Sequence, residues 1–188
     1  MTLALELSCG PCRLRPWRAE DRADLLRYAN NRNIWRNLRD HFPHPYLPEH
    51  ADAWLGFAVT PEPPEGIYAI EIDGVAAGGL GIERGKDIES QVAEIGYWLG
   101  EPFWGKGIMT AALRVATEHA LSQRDLFRLY APVFAWNKPS MRVLEKAGYA
   151  REAVLRRAGI KDGTLIDRVI YARVRDNLNL PYVSADWS

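Results

Sequence analysis

One stretch limits what this chain can fold into more than any other, residues 94–117, EIGYWLGEPFWGKGIMTAALRVAT. Val92 to Leu99 reads as a strand and Gly100 to Trp104 as a tight polar turn. A helical pattern follows, and the first turn of that helix is expected to carry Gly105, Lys106 and Gly107. Glycine lets the backbone approach a ligand closely, and the first N–H groups of a helix have no partner inside it. Strand, turn and helix together therefore make a cradle for an anion such as phosphate. A lone G-x-G also fits a glycine-softened helix start that holds nothing.

A second stretch, residues 137–149 with sequence NKPSMRVLEKAGY, adds a capping Asn137, a short helix and a terminating Gly148. Together the two resemble the GNAT superfamily of acyl-CoA-dependent N-acyltransferases. There a pyrophosphate-binding R/Q-x-x-G-x-G/A loop opens one helix, and a later N-x-x-S/A helix ends in a glycine–aromatic pair. The closer wording, GYWLGEPFWGKGIMTAAL followed by N-x-x-S-x-x-V-L-E-K-A-G-Y, is similar to the branch of the RimJ/RimL acetyltransferases of ribosomal-protein N-termini. The resemblance runs from about Cys12 to Arg175. It implies a mixed α/β (α+β) fold whose mostly antiparallel, seven-stranded sheet is splayed between strands four and five and flanked by helices. One domain over 1–188 is expected, with a core of about 12–175 and a tail of 176–188.

The remaining punctuation agrees with such a fold. Asp73-Gly74 between two apolar runs, Ile67 to Ile72 and Val75 to Ile82, is a hairpin signal. Helical spacing from Arg18 breaks around Asn30 to Arg32, predicting a bent or split segment. Three prolines in HFPHPYLPEH rule out regular structure until Pro48 opens a new helix. Pro132 lies inside an apolar run, Phe127 to Phe134, so strand pairing must lapse there. A closing hairpin is expected around Lys161-Asp162-Gly163.

The resemblance also implies acetyl-CoA as co-substrate and direct attack of an amine on its thioester. A backbone N–H around Trp98 to Gly100 would receive the carbonyl oxygen. The expected cofactor residues are Trp98, Leu99, Trp104, Gly105, Lys106, Gly107, Ile108, Met109, Thr110, Asn137, Ser140 and Lys146. Ser140 is the candidate proton donor, because the commoner tyrosine position holds Leu144. Glu94, sharing a strand face with Gly96 and Trp98, is the candidate base and also a candidate acceptor contact. Trp35, His41, His44 and Tyr46 complete the expected acceptor side. Trp104 and Met109 depart from the cofactor loop's pattern, so Lys106 and backbone N–H groups must hold the pyrophosphate. The acceptor is expected to be a protein N-terminal amine; a small amine and a non-catalytic acyl-CoA-binding module are the alternatives.

Balanced charge, with 24 basic and 24 acidic side chains, argues against nucleic acid as the main partner. No apolar run is long enough for a membrane span, and the N-terminus has no secretory pattern, so a cytoplasmic protein is expected. The C-x-x-C at Cys9 and Cys12 lacks the context of a redox or zinc motif and reads as two reduced thiols, and no metal site is expected. The tryptophans supply aromatic surface for an interface, with a homodimer as the candidate assembly.

Overall fold

The computed structural model describes residues 6–60, 66–123, 125–175, 178 and 181–184. The expected linker over 61–65, Trp187 and most of the tail lie outside these residues. The strands are β1 Leu7–Ser8, β2 Arg13–Arg15, β3 Ile67–Ile72, β4 Val75–Arg84, β5 Val92–Leu99, β6 Arg128–Phe134, β7 Ala150–Lys161 and β8 Thr164–Val174. They form one sheet in the order β1-β2-β3-β4-β5-β6-β8-β7, antiparallel except for β5 with β6. The sheet has eight strands where seven were expected, because the two-residue β1 is laid on β2. The helices among the described residues are α1 Arg22–Ala29, α2 Arg32–Trp35, α3 Pro48–Ala58, α4 Ile108–Gln123 and α5 Lys138–Lys146.

Alternation along β5 divides the molecule into two layers. Ala93, Ile95 and Leu99 join a core with Ala112 and Leu113 of α4 and Met141 and Leu144 of α5. Trp98 points the other way, to a core built by Leu25 and Ala29 of α1 and Leu55 of α3. Helices thus cover both faces of the sheet. The expected split helix is α1 and α2; Asn31 restarts the chain, its Oδ1 accepting the Asn33 N–H at 2.7 Å. Close approach explains a strand glycine, since a Cβ on Gly78 would lie 2.4 Å from the Trp98 carbonyl oxygen.

The β5–β6 junction shapes everything around it. The two strands pair only at Val92–Arg128, Ala93–Leu129 and Glu94–Tyr130. Two backbone bonds on the β8 side set the parity: Arg175 N–H donates to the Phe127 carbonyl, and Ala135 N–H donates to the Asp167 carbonyl, so odd-numbered residues of β6 bond toward β8. Even-numbered residues of β6 therefore turn their N–H groups toward β5. The next rung would need the N–H of residue 132, donated to the Ile95 carbonyl. Pro132 has none, and the strands part there. On its other edge β6 stays paired with β8 through Pro132–Ile170.

The opposite end of the sheet is pinned by charge. Arg15, 1% exposed, donates to Asp21 at 2.7 and 2.8 Å and also to Glu71, which a second guanidinium, that of Arg13, reaches from the rim. This joins β2, the turn into α1 and β3. Burial pushes the Glu71 carboxyl up, but the bonds from Arg13 and Arg15 outweigh it and the net direction is down. A depressed folded-state value means that the stabilisation is complete above the ordinary carboxylate value of 4.5 and fades as the pH falls below it. Glu71→Gln should therefore cost about 3 kcal/mol at neutral pH, because it breaks a buried pair. In denaturant titrations the gap from wild type should close as the pH falls from 5 to 2; a gap that stays constant contradicts the assignment.

Candidate active site

The strand, turn and helix of residues 92–123 build one wall of the site. A 3₁₀ turn over Glu101–Phe103 follows β5, and α4 begins at Ile108. Gly105 and Gly107 have φ of +75° and +77°, so with Lys106 they precede the helix and do not form its first turn, as had been expected. Left-handed backbone at two positions is what requires glycine here. Trp104 serves as an anchor, its indole N–H donating to the Leu99 carbonyl at 2.6 Å and so tying the turn to the end of β5. Asn31 and Asn33 hold the same turn from the other side by donating to the Glu101 carboxylate.

Backbone parity selects the groups that β5 turns toward the gap. Gly100 N–H donates to Ala77 of β4 at 2.8 Å, which removes it from the expected range of oxyanion donors. The N–H groups of Tyr97 and Leu99 therefore point the opposite way, toward β6, beyond the last shared rung. Across the gap, Asn137 caps α5, its Oδ1 accepting the Ser140 N–H at 3.2 Å, while its Nδ2 has no partner among the described residues. The Ser140 hydroxyl lies 2.8 Å from the Tyr97 hydroxyl. Burial, partly offset by the serine, pushes the Tyr97 phenol well above its ordinary value, so it stays neutral.

These groups face a continuous cleft of about 1390 Å³ that runs from the mouth of α4 to α3. Every expected cofactor residue lines it except Lys106, whose ammonium sits 5.7 Å from the Phe103 ring centroid. On the acceptor side His41, Tyr46 and Glu94 line the cleft. Tyr46 is packed against Phe42, and burial raises its phenol to about 12. Trp35 and His44 do not line it. They stack on each other at 5.6 Å, and Trp35 is further occupied by Lys161. That buried ammonium lies 3.8 Å from the Trp35 ring centroid and donates to Asp40 at 2.6 Å, clamping the closing hairpin to this segment. Both Glu94 oxygens accept from Arg39, the longer bond being 2.6 Å.

Three residues that line the cleft escaped the sequence reading: Tyr97, Arg39 and, from β8, Arg168. For Tyr97 a signal existed, since alternation with Ala93 and Ile95 buries a phenol that then needs a polar partner. Cys9 and Cys12 are buried free thiols, and Cys12 Sγ lies 4.0 Å from the Ile108 carbonyl oxygen, under the start of α4. Among the described residues no group of three or more His, Cys, Asp or Glu side chains is gathered as for a metal ion.

The sequence profile of the acetyltransferase (GNAT) domain matches residues 12–150. The chain belongs to the GNAT acetyltransferase family. It is 42% identical over 82 residues to YjcK of Bacillus subtilis (44% of this chain, 45% of YjcK). To the ribosomal-protein-serine acetyltransferase of Escherichia coli it is 32% identical over 88 residues (47% of this chain, 49% of the relative). The chain thus spans about half the length of the curated relatives it matches. Mycobacterium smegmatis RimJ, solved in complex with a CoA disulfide, superposes with a TM-score of 0.75 and 26% identity, covering 94% of this chain and 89% of RimJ. The chain thus falls in the RimJ/RimL-like branch of a family whose donor is acetyl-CoA. The cleft suits such a donor, offering helix-start N–H groups for phosphate and unpaired strand amides for an extended amide-bearing arm.

If the parted ladder makes room for that arm, Pro132→Ala should partly close it by restoring the N–H that Ile95 lacks. Acetyl-CoA affinity measured by calorimetry should fall several-fold while the melting temperature holds or rises. Unchanged affinity contradicts the role given to Pro132.

Proposed function

We propose that this protein transfers the acetyl group of acetyl-CoA to the N-terminal amine of a protein, in the cytoplasm. The observation that carries the reading is the extent of the cleft on the acceptor face. It continues past the parted strands to His50, Trp54 and Phe57, far beyond what a small amine would fill. The one cleft carboxylate on β5, Glu94, is already engaged by Arg39, which argues against a closed pocket with a free carboxylate floor. The name of the Escherichia coli relative, a ribosomal-protein-serine acetyltransferase, supports a protein acceptor.

In the proposed reaction the amine nitrogen bonds to the thioester carbon and the carbon–sulfur bond breaks. The Leu99 N–H donates to the carbonyl oxygen as charge develops there, a contribution strengthened by exclusion of water. The Ser140 hydroxyl supplies the proton that the departing thiolate takes up and regains one from solvent as Glu94 releases the amine proton; the Tyr97 phenol keeps its own proton and orients that hydroxyl by hydrogen bonding. Asn137 Nδ2 and the amides before α4 position the donor. Glu94, held in place by Arg39 and five residues along β5 from Leu99, takes up the proton lost by the amine through a chain of water in the cleft.

Thiol release with acetyl-CoA, followed on short peptides and on small amines such as polyamines, tests the proposal. Turnover should be confined to peptides. Ser140→Ala should lower kcat by about 100-fold or more, in line with the loss of a positioned proton donor. Tyr97→Phe should lower it by about tenfold, the worth of one hydrogen bond. The KM for acetyl-CoA should change far less than kcat in both, since each lost hydroxyl acts mainly on the departing thiolate. Turnover of small amines alone would replace the N-terminal reading, and a fully active Ser140→Ala would remove the serine from the mechanism.

A further inference from the structure

Three buried side-chain nitrogens lack a hydrogen-bond partner among the described residues: the indole nitrogens of Trp17 and Trp54, and Nε of Arg168. The two indoles pack edge to face on each other at 5.9 Å and carry no charge. Arg168 is different in kind. A buried guanidinium nitrogen without an acceptor is costly, and it calls for an anion that the described residues do not supply. Its nearest acid in sequence, Asp167, accepts the Arg157 N–H at 2.8 Å and, by alternation, lies on the opposite face.

Register fixes where this cation stands. Val169 and Tyr171 belong to the core under α4 and α5, so Arg168 lies on the face of α1 and α3, the acceptor side. It pairs with Phe134 across the β6–β8 ladder. From the last shared rung, Glu94–Tyr130, Leu99 lies five residues along β5 and Phe134 four residues along β6. Arg168 is therefore level with the open end of the gap, where the Leu99 N–H and the Ser140 hydroxyl are presented. It lines the same cleft.

We propose that Arg168 is the receptor for a carboxylate carried by the acceptor close to its reacting amine. This rests on the reading of the cleft as an acetyl-transfer site and names the acceptor class within it: an N-terminus with an acidic side chain in its first two residues, or a free amino acid presenting its α-carboxylate. Arginine suits this role because its planar fork binds a carboxylate through two bonds. A site whose buried donor is left unpaired by a neutral acceptor discriminates against that acceptor.

The test pairs peptides that differ only in Glu or Gln at the second position, with free glutamate and its α-amide as the second arm, for wild type, Arg168→Gln and Arg168→Lys. Wild-type kcat/KM should favour the acidic member by about tenfold or more, mainly through KM, and Arg168→Gln should bring the ratio close to one. Arg168→Lys should restore part of it. Selectivity confined to the peptide arm assigns the carboxylate to a side chain, and selectivity confined to the amino-acid arm assigns it to the α-carboxylate. Calorimetric binding of the N-acetylated peptides to the CoA-loaded protein separates this proposal from the acetyl-transfer reading. Arg168-dependent preference for the acidic peptide without any turnover would sustain the receptor and sink the transfer reading. Equal use and equal binding of Glu and Gln peptides would overturn the receptor, as would an Arg168→Gln variant whose only loss is acetyl-CoA affinity.

Discussion

The missing N–H of Pro132 is the constraint on which the rest of the structure depends. Parallel strands normally continue side by side until a turn ends them, yet β5 and β6 share three rungs and then part in mid-strand. The cost of leaving the Tyr97 and Leu99 amides unpaired in a protein interior is a few kcal/mol. Such a cost is sustained only where a ligand or water takes the place of the lost strand. β6 keeps its place because β8 pairs along its entire length, through Arg128–Val174 to Phe134–Arg168.

The walls of the cleft are arranged around that opening by elements whose own stability comes from elsewhere. The glycine turn and α4 are fixed by the Trp104 bond to Leu99, and α5 is fixed to α4 by the buried Thr117–Tyr149 hydrogen bond of 2.7 Å. The layer of α1 and α3 stands on the Arg15 charge cluster and on its own apolar core. The two faces of the sheet thus divide the labour. On the proposed function, one carries the helices that present backbone N–H groups to the donor, and the other carries the segment and the cations that meet the acceptor.

Much of this was legible in the sequence because its signals are local. Asp73-Gly74, the capping Asn137, Pro48 at a helix start and Gly148 at a helix end each act within a few residues, and each element appears where its signal stands. The branch-typical wording located one wall of the cleft for the same reason. What escaped was set by tertiary contacts. Lys161 reaches back from the closing hairpin to hold Trp35, and with it His44 is taken out of the cleft, while the Arg39–Glu94 pair spans 55 positions. Strand count missed β1, since two residues leave no periodicity to read. Lys106 shows a further limit: a cation beside a glycine turn reads as a phosphate ligand, but a neighbouring Phe103 face offers it another partner.

The most direct measurement is residue-resolved amide hydrogen exchange with and without acetyl-CoA. Because parity turns the Tyr97 and Leu99 amides toward the gap and Gly100 toward Ala77, acetyl-CoA should slow exchange at Tyr97 and Leu99 and leave Gly100, already bonded in the free protein, unchanged. Strong binding that protects the amides before α4 but leaves Leu99 exchanging freely would contradict the account, because the donor would then be held outside the parted strands.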